Sequence, residues 1–255
     1  MIYAAVLAGG IGSRMGADKP KQFLEFGGKP VIIHTVERFL ECDEIDKVIV
    51  MTPADWCDYT RNLLTQYFGD LSSGTGEEMT GSADKDSRVN ARITVAAGGS
   101  TRNETLMNAI SVIEADGKLN EETIIVTHDA VRPFVTDRMI RENIAAAKDT
   151  GACETAFPAT DTIIETDDGK HVAAVPDRSR LWMVQTPQTF RAKKLRELYI
   201  SLTEEEKEVL TDAARIYVMK GEAVGIVRGE SWNIKITYPQ DIQVAETVEE
   251  QLCKE

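Results

Sequence analysis

The chain has 255 residues, enough for one α/β domain with a core of its own and short for two full-sized ones. Its 29 Lys and Arg stand against 42 Asp and Glu, a formal net charge of −13, which excludes a general nucleic-acid binder but not a local cluster of cations around a nucleotide. With 42% hydrophobic and 28% charged residues the composition argues against wholesale disorder.

No apolar run approaches the roughly 18 residues of a membrane span. Residues 1–7 run from an apolar stretch straight into Gly9 and Gly10 with no basic leader. Cys42, Cys57, Cys153 and Cys253 stand far apart and form no CxxC pair, which speaks against a disulfide framework or a zinc site. The expectation is a cytoplasmic protein with neither membrane nor nucleic acid as partner.

In chain order, residues 2–7 read as a fully buried strand. Residues 30–40 open on Pro30 and carry Ile32, Val36, Phe39 and Leu40 at helical spacing. Strands are expected over 47–51, 93–97 and 123–127. Helices are expected over 54–67, from a Thr101 cap through Val112, and over 136–148. Four strand–helix repeats predict a doubly wound, mostly parallel sheet of the Rossmann-like α/β class.

Residues 69–92 interrupt that series. They are rich in Gly, Ser, Asp and Glu, lack apolar periodicity, and read as a mobile insertion. Residues 155–166 and 171–175 flank Asp167-Asp168-Gly169-Lys170, a hairpin signal, so 155–175 is expected to project as a β-arm. Such an arm is either a plain surface excursion or a dimer clasp. Helical patterns follow at 192–199, 203–219 and 240–252, with strands at 223–227 and 233–237. There is no internal repeat, and the whole chain, 1–255, reads as one domain.

Four segments carry residues suited to chemistry. Leu7-Ala8-Gly9-Gly10-Ile11-Gly12-Ser13-Arg14-Met15-Gly16 follows the first strand, and such a loop lets backbone N–H groups approach an anion. It matches neither the dinucleotide fingerprint nor the P-loop. Arg14 and Lys21 follow it at short range, where they can reach phosphates. Gly98-Gly99-Ser100-Thr101-Arg102-Asn103-Glu104-Thr105 also follows a strand, at the edge where doubly wound sheets bind ligands, although Ser100 and Thr101 also suit helix capping. His128-Asp129-Ala130-Val131-Arg132-Pro133 ends the next strand, and its Asp–Arg spacing also suits a structural pair. Lys235 alternates out of Asn233-Ile234-Lys235-Ile236-Thr237, where a lone Lys usually faces solvent. With three histidines and no Ser-His-Asp or Cys-His grouping, nucleophilic hydrolysis has little support. Amides, Arg, Lys and Asp fit phosphoryl or nucleotidyl transfer.

Together with Pro20-Lys21-Gln22, Gln185-Thr186-Pro187-Gln188 and Thr211-Asp212-Ala213, these segments occur in an order that resembles the IspD/TarI family of cytidylyltransferases over nearly the whole chain. Residues 69–92 are longer than that family's pattern. The resemblance implies transfer of CMP from CTP to a sugar-alcohol phosphate, releasing pyrophosphate, with Mg²⁺ held largely through the CTP phosphates and no assigned protein ligands. It implies that Leu7, Ala8, Gly9, Gly10 and Gly12 cradle the nucleotide's phosphates, and that Gly99, Ser100 and Thr105 hold its base and ribose. It gives Arg14, Lys21 and Lys235 the catalytic cations. It places Asp129 and Arg132 toward acceptor and metal, Thr211 on the acceptor side, and Thr162 and Arg178 on an arm that reaches a partner's site in a homodimer. A phosphate monoester is largely anionic near neutral pH, its second pKa being about 6, so no general base is needed.

The family has a ribitol 5-phosphate branch and a methylerythritol 4-phosphate branch. Residues 7–15, Thr52-Pro53-Ala54-Asp55-Trp56, Arg102-Asn103-Glu104-Thr105, Val131 and residues 204–212 resemble the first. Asp177-Arg178-Ser179-Arg180-Leu181-Trp182 resembles the second. The balance leans to ribitol. A non-catalytic nucleotide-binding regulator on the same fold is the alternative of another class; Arg14, Lys21 and Lys235 argue for the enzyme.

Overall fold

The structure is a computed structural model, and it describes residues 1–10, 19–71 and 92–252. Gly12, Arg14, Cys253 and residues 72–91 of the expected insertion lie outside the described residues.

The strands are β1 (Ile2–Leu7), β2 (Glu25–Phe26), β3 (Lys29–Pro30), β4 (Lys47–Thr52), β5 (Ile93–Ala97), β6 (Ile124–Asp129), β7 (Ala152–Pro158), β8 (Trp182–Arg191) and β9 (Gly225–Arg228). The helices are α1 (Val31–Glu41), α2 (Cys57–Phe68), α3 (Arg102–Ala115), α4 (Asp137–Thr150), α5 (Ala192–Ile200), α6 (Glu204–Glu208), α7 (Ala214–Met219) and α8 (Gln240–Leu252). Seven strands form one sheet in the order β5-β4-β1-β6-β8-β7-β9, and β2 pairs with β3 beside it. Within the seven-stranded sheet all neighbours run parallel except β8, which is antiparallel to both β6 and β7, and β2 and β3 pair antiparallel.

The chain winds outward from β1 through β4 to β5, then crosses to the other side of β1 to lay down β6. That reversal places the carboxyl ends of β1 and β6 beside a crevice, where open α/β sheets bind ligands. The two faces of β1 explain the layering. Ala4 and Val6 face α1, α2 and α4, where Ile32, Val36, Phe39, Leu64, Ile140 and Ile144 are buried. Tyr3, Ala5 and Leu7 face the opposite layer, with Leu106, Ile110, Leu195, Ile216 and Tyr217. A third cluster joins Phe26, Val31, Val131, Phe134, Ile236 and Ala245, and it fastens α8 over the β2–β3 turn.

Caps set several boundaries. Thr101 Oγ1 accepts from the Glu104 N–H at 3.1 Å and starts α3; Thr136 Oγ1 accepts from Met139 N–H at 3.3 Å and starts α4. Gly151, at φ 86°, ends α4 in the left-handed region.

Four points depart from the sequence reading or add to it. First, Thr155 does not begin a free arm. It lies in β7, paired to β8 and β9, and it is fully buried, so the projecting segment is 159–181. Residues 171–175 form no strand. The one bridge joins Glu165 to Ala174, and Asp168 folds the tip locally by accepting from the N–H groups of Lys170 and His171 at 2.8 Å each. Residues 160–175 are exposed throughout, and a two-stranded ribbon is marginal without something to pack on.

Second, β8 is a central strand that alternation does not announce. Pro187 disfavours a ladder position, and the β7–β8 register shifts between Glu154 and Thr155, opposite Gln188 and Gln185, which leaves Thr186 and Pro187 outside the ladder. Third, residues 233–237 are an irregular strap rather than a strand; Ile236 N–H bonds Val131 O at 2.9 Å, Asn233 N–H bonds Glu230 O at 3.1 Å, and side-chain contacts add to these. Fourth, the pattern over 203–219 splits into α6 and α7, because Asp212 Oδ1 accepts from Arg215 N–H at 2.9 Å and begins a new helix. Arg92, the last residue of the expected insertion, is structural. Its guanidinium donates to Leu40 O at 3.0 Å, Cys42 O at 3.4 Å and Ile45 O at 2.5 Å.

Among the described residues no helix is long and apolar enough to cross a membrane.

Candidate active site

A cavity of about 310 Å³ opens at the carboxyl ends of β1 and β6. Leu7, Gly9 and Gly10 line it from the first loop, Lys21 from the 3₁₀ turn that follows, Gly99, Ser100, Thr101, Arg102 and Thr105 from the start of α3, Asp129 and Val131 from the end of β6, and Lys235 from the strap. Residues as far apart in sequence as Leu7 and Lys235 therefore meet at one point because the strand order reverses there.

Among the described residues, packing does not dictate glycine at 9 and 10. An added Cβ would stand 3.8 Å from Thr105 Oγ1 at Gly9 and 3.8 Å from Lys21 Cε at Gly10, both ordinary contacts. Their bareness leaves backbone open to the cavity. Gly99 differs: a Cβ there would lie 2.4 Å from Glu104 Cβ, so the loop closes on α3 only with glycine. Thr105 Oγ1 fastens that loop, accepting from Gly99 N–H at 3.0 Å and donating to Thr101 O at 2.8 Å. Ser100 N–H donates to Glu104 Oε2 at 2.9 Å.

Asp129 is the electrostatic centre. Its Oδ2 meets Lys235 Nζ at 2.8 Å and Arg132 Nε at 3.7 Å, and its Oδ1 meets Arg102 Nε at 3.7 Å. Burial alone raises its pKa, but Arg102, Lys235 and Arg132 outweigh that and hold the carboxyl well below the usual range. Its N–H donates to Thr186 Oγ1 at 3.1 Å, which ties β6 to the unpaired part of β8. Lys21 is buried, and its Nζ donates to Ile236 O at 3.0 Å. Next to Asp129, His128 is fully buried, and desolvation pushes its pKa down to about 4. Its neutral ring donates from Nε2 to Arg132 O at 2.9 Å, and it does not line the cavity.

Of the sequence candidates, Leu7, Gly9, Gly10, Lys21, Gly99, Ser100, Thr105, Asp129 and Lys235 come together at the cavity. Ala8 lies buried behind the loop, with its carbonyl bonded by Gln22 Nε2 at 2.7 Å. Arg132 sits immediately behind Asp129. Thr162, Arg178 and Thr211 do not line it. Thr162 and Arg178 are exposed on the 159–181 segment, where Arg178 Nη1 donates to Thr160 O at 2.8 Å. Thr211 is exposed between α6 and α7. The residue that sequence pattern does not single out is Arg102. Its signal was its place, first in a helix that opens directly from a candidate glycine loop.

The family model of IspD, 2-C-methyl-D-erythritol 4-phosphate cytidylyltransferase, matches residues 2–251. The chain belongs to the IspD family. It is therefore a CTP-dependent cytidylyltransferase. Among solved structures, 4-diphosphocytidyl-2C-methyl-D-erythritol synthase of Anaerococcus prevotii is 26% identical, with 98% of this chain and 96% of that one covered, at a TM-score of 0.74. The 2-C-methyl-D-erythritol 4-phosphate cytidylyltransferase of Francisella tularensis is 25% identical over 96% and 98% of the two chains, at a TM-score of 0.73. The Thermus thermophilus enzyme of that name, 24% identical over 97% and 98% at a TM-score of 0.66, shares the fold. Residues outside the β1–β6 crevice are as much part of the IspD match as those within it, since the match runs nearly end to end.

Proposed function

We propose that the β1–β6 cavity transfers CMP from CTP to D-ribitol 5-phosphate, giving CDP-ribitol and pyrophosphate. The observation that carries the site is its charge: among the described lining residues, three cations, Lys21, Arg102 and Lys235, share the cavity with a single carboxylate, Asp129. Two polyanions must be brought together there, and fixed cations offset their repulsion without reorganising during the reaction.

In this reading the triphosphate lies along the open backbone of Gly9 and Gly10, with base and ribose toward Gly99, Ser100 and Thr105. Lys21 and Lys235, with Arg14 from outside the described residues, steady the charge that builds on the α-phosphate. The acceptor phosphate oxygen attacks the α-phosphorus, and the bond to the pyrophosphate oxygen breaks. No side chain need take a proton, which agrees with a buried, neutral His128 outside the cavity.

The donor set bears on Mg²⁺. Among the described residues no group of three or more His, Cys, Asp or Glu can hold a metal, whereas Asp129 offers one carboxylate at the cavity. That set fits an ion carried mainly on substrate phosphates, with Asp129 as its protein partner, as is usual for Mg²⁺. When bound, it would screen the phosphate oxygens.

For the acceptor, two of the positions that resemble the ribitol branch, Arg102 and Val131, line the cavity itself. The second reading is 2-C-methyl-D-erythritol 4-phosphate, favoured by the description of the matched family and by the names of the similar structures. Pyrophosphate release from CTP, with each alditol phosphate in turn, separates them. A higher kcat/KM with ribitol 5-phosphate is expected, and the reverse order overturns the choice.

A homodimer is part of the proposal. The 159–181 segment carries Ile163, Ile164, Val172 and Val175, exposed by 38–61%, and the adjoining end of β8 adds Trp182, Met183 and Val184. A second copy would cover this ribbon by symmetry.

A further inference from the structure

We infer that Gln185, which does not touch the cavity, is the positioning residue that sets Lys235. The inference rests on the reading of Lys235 as a catalytic cation.

Lys235 sits on an irregular strap with no ladder of backbone hydrogen bonds, yet its ammonium must stand at a defined place opposite Asp129. One end of that strap is fixed by Ile236, fully buried and bonded through N–H to Val131 O at 2.9 Å. The other end is fixed by side-chain amides. Gln185, 4% exposed on β8, donates from Nε2 to Glu230 O at 2.8 Å and to Asn233 O at 3.3 Å. Its Oε1 accepts from Asn233 Nδ2 at 3.3 Å, and the same Nδ2 donates to Thr186 O at 3.0 Å.

Gln185 therefore holds the chain at Glu230, which leads into the strap, and at Asn233, its first residue, just before Lys235. The strap is built to admit it: a Cβ at Gly229 would lie 2.5 Å from Gln185 Oε1 and 2.9 Å from Thr155 Cγ2. The clamp also reaches the other charges. Asn233 O accepts from Arg132 Nη1 at 2.8 Å, and Asp129 N–H donates to Thr186 Oγ1, the residue next to Gln185. One amide thus relates Lys235 to the carboxylate it faces. A strap free to move by an ångström would blunt a cation whose effect depends on place. A hydrophobic side chain of similar size would lose all three contacts, leaving Glu230 O to Asn233 N–H, Asn233 O to Arg132 Nη1 and Asn233 Nδ2 to Thr186 O, none of which ties this segment to the side chain at position 185.

The test is a double-mutant cycle on Gln185→Met and Lys235→Ala, read by single-turnover formation of CDP-alditol from radiolabelled CTP. Gln185→Met keeps the volume and removes the hydrogen bonds. Alone it should slow turnover by about ten-fold or more while the KM for CTP stays within about two-fold. In the Lys235→Ala background it should cost little further, since the group it positions is gone. Near-UV circular dichroism and melting temperature report folding for every variant. If Gln185→Met does not fold, Gln185→Glu, which keeps the acceptor and loses the donor, replaces it with the same expectation. Losses that multiply in the double variant overturn the inference, as does a Gln185 variant with unchanged turnover. Unchanged turnover in Lys235→Ala alone would instead overturn the reading of Lys235, and this inference with it.

Discussion

Lys235 Nζ lies 2.8 Å from Asp129 Oδ2, although one residue ends a central strand and the other sits on an irregular strap. With Arg102 and Arg132 at 3.7 Å, this carboxylate is surrounded by three cations in a largely buried place. Such a carboxylate does two things: it balances charge in the free protein, and it fixes the directions in which the cations point. Asp129→Asn keeps the shape and removes the charge. Turnover is expected to fall by about 100-fold or more, and the melting temperature should drop because like charges then face one another. Added pyrophosphate should restore part of that drop. Wild-type turnover in the variant would sink the assignment.

Lys21 approaches the cavity from the other side, and its Nζ bonds Ile236 O, on the same strap as Lys235. Lys21→Ala should cost about 3 kcal/mol or more in transition-state stabilisation. The stranded Ile236 carbonyl adds a stability loss of about 1 kcal/mol. A folded variant with turnover reduced at least about 100-fold is the expected result of steady-state kinetics and thermal melting. Near-wild-type turnover would remove Lys21 from the proposed machinery.

The sheet's first half was legible in the sequence because β1, β4, β5 and β6 are short apolar runs closed by glycine or polar residues, each followed by a helical stripe. The candidate loops were legible for the same reason, since they sit where those strands end. What lay hidden depends on tertiary context. Pro187 and the glutamines of β8 carry no strand alternation, and the strand is explained only by the register shift that leaves Thr186 and Pro187 outside the ladder. Lys235 looks like a solvent-facing charge until the strap folds over Asp129. Arg102 was masked by its neighbours' evident capping role. Thr155 reads as the start of an arm because nothing local reveals that β8 and β9 flank it.

The expected insertion can be tested against its structural end. Replacing residues 72–91 with a short Gly/Ser linker should leave turnover intact, because their composition offers little apolar area to bury. Arg92→Ala should behave differently. It removes three donations to the carbonyls of Leu40, Cys42 and Ile45, and about 1–3 kcal/mol of stability should go with them. Urea denaturation of the two variants distinguishes them. Equal stability losses would mean that Arg92 is not the anchor.

Stability should also depend on His128. Desolvation lowers its pKa from 6.5 to about 4 in the folded chain, so between those values the unfolded chain holds a proton that the folded chain does not. The contribution is present above about pH 6.5 and is lost as pH falls toward about 4, up to about 3 kcal/mol. Glu154, whose carboxyl burial raises, acts with the opposite sign, so the comparison must be with His128→Gln rather than with slope alone. Denaturant melts across this range should show a shallower pH dependence in the variant. Identical slopes would place the titration elsewhere.

The 159–181 segment supplies the last prediction. Arg178 and Thr162 are exposed on it and stand apart from the cavity residues of their own chain. A ribbon joined along its length by one β-bridge, at Glu165 and Ala174, and by the Arg178–Thr160 contact, with Ile164, Val172 and Val175 open to water, has little reason to keep its shape alone. If a second copy covers it, each arm can present Arg178 to the partner's acceptor, where a guanidinium suits a phosphate. Arg178→Ala and Lys21→Ala are each expected to lose most turnover. Mixed under conditions that allow subunit exchange, they should form heterodimers in which one site carries both lesions and the other carries none. Activity should then recover in proportion to heterodimer formed, up to about one intact site per dimer. Exchange shown by mass, with no recovery, would put Arg178 and Lys21 in the same site or leave Arg178 without a part in the reaction.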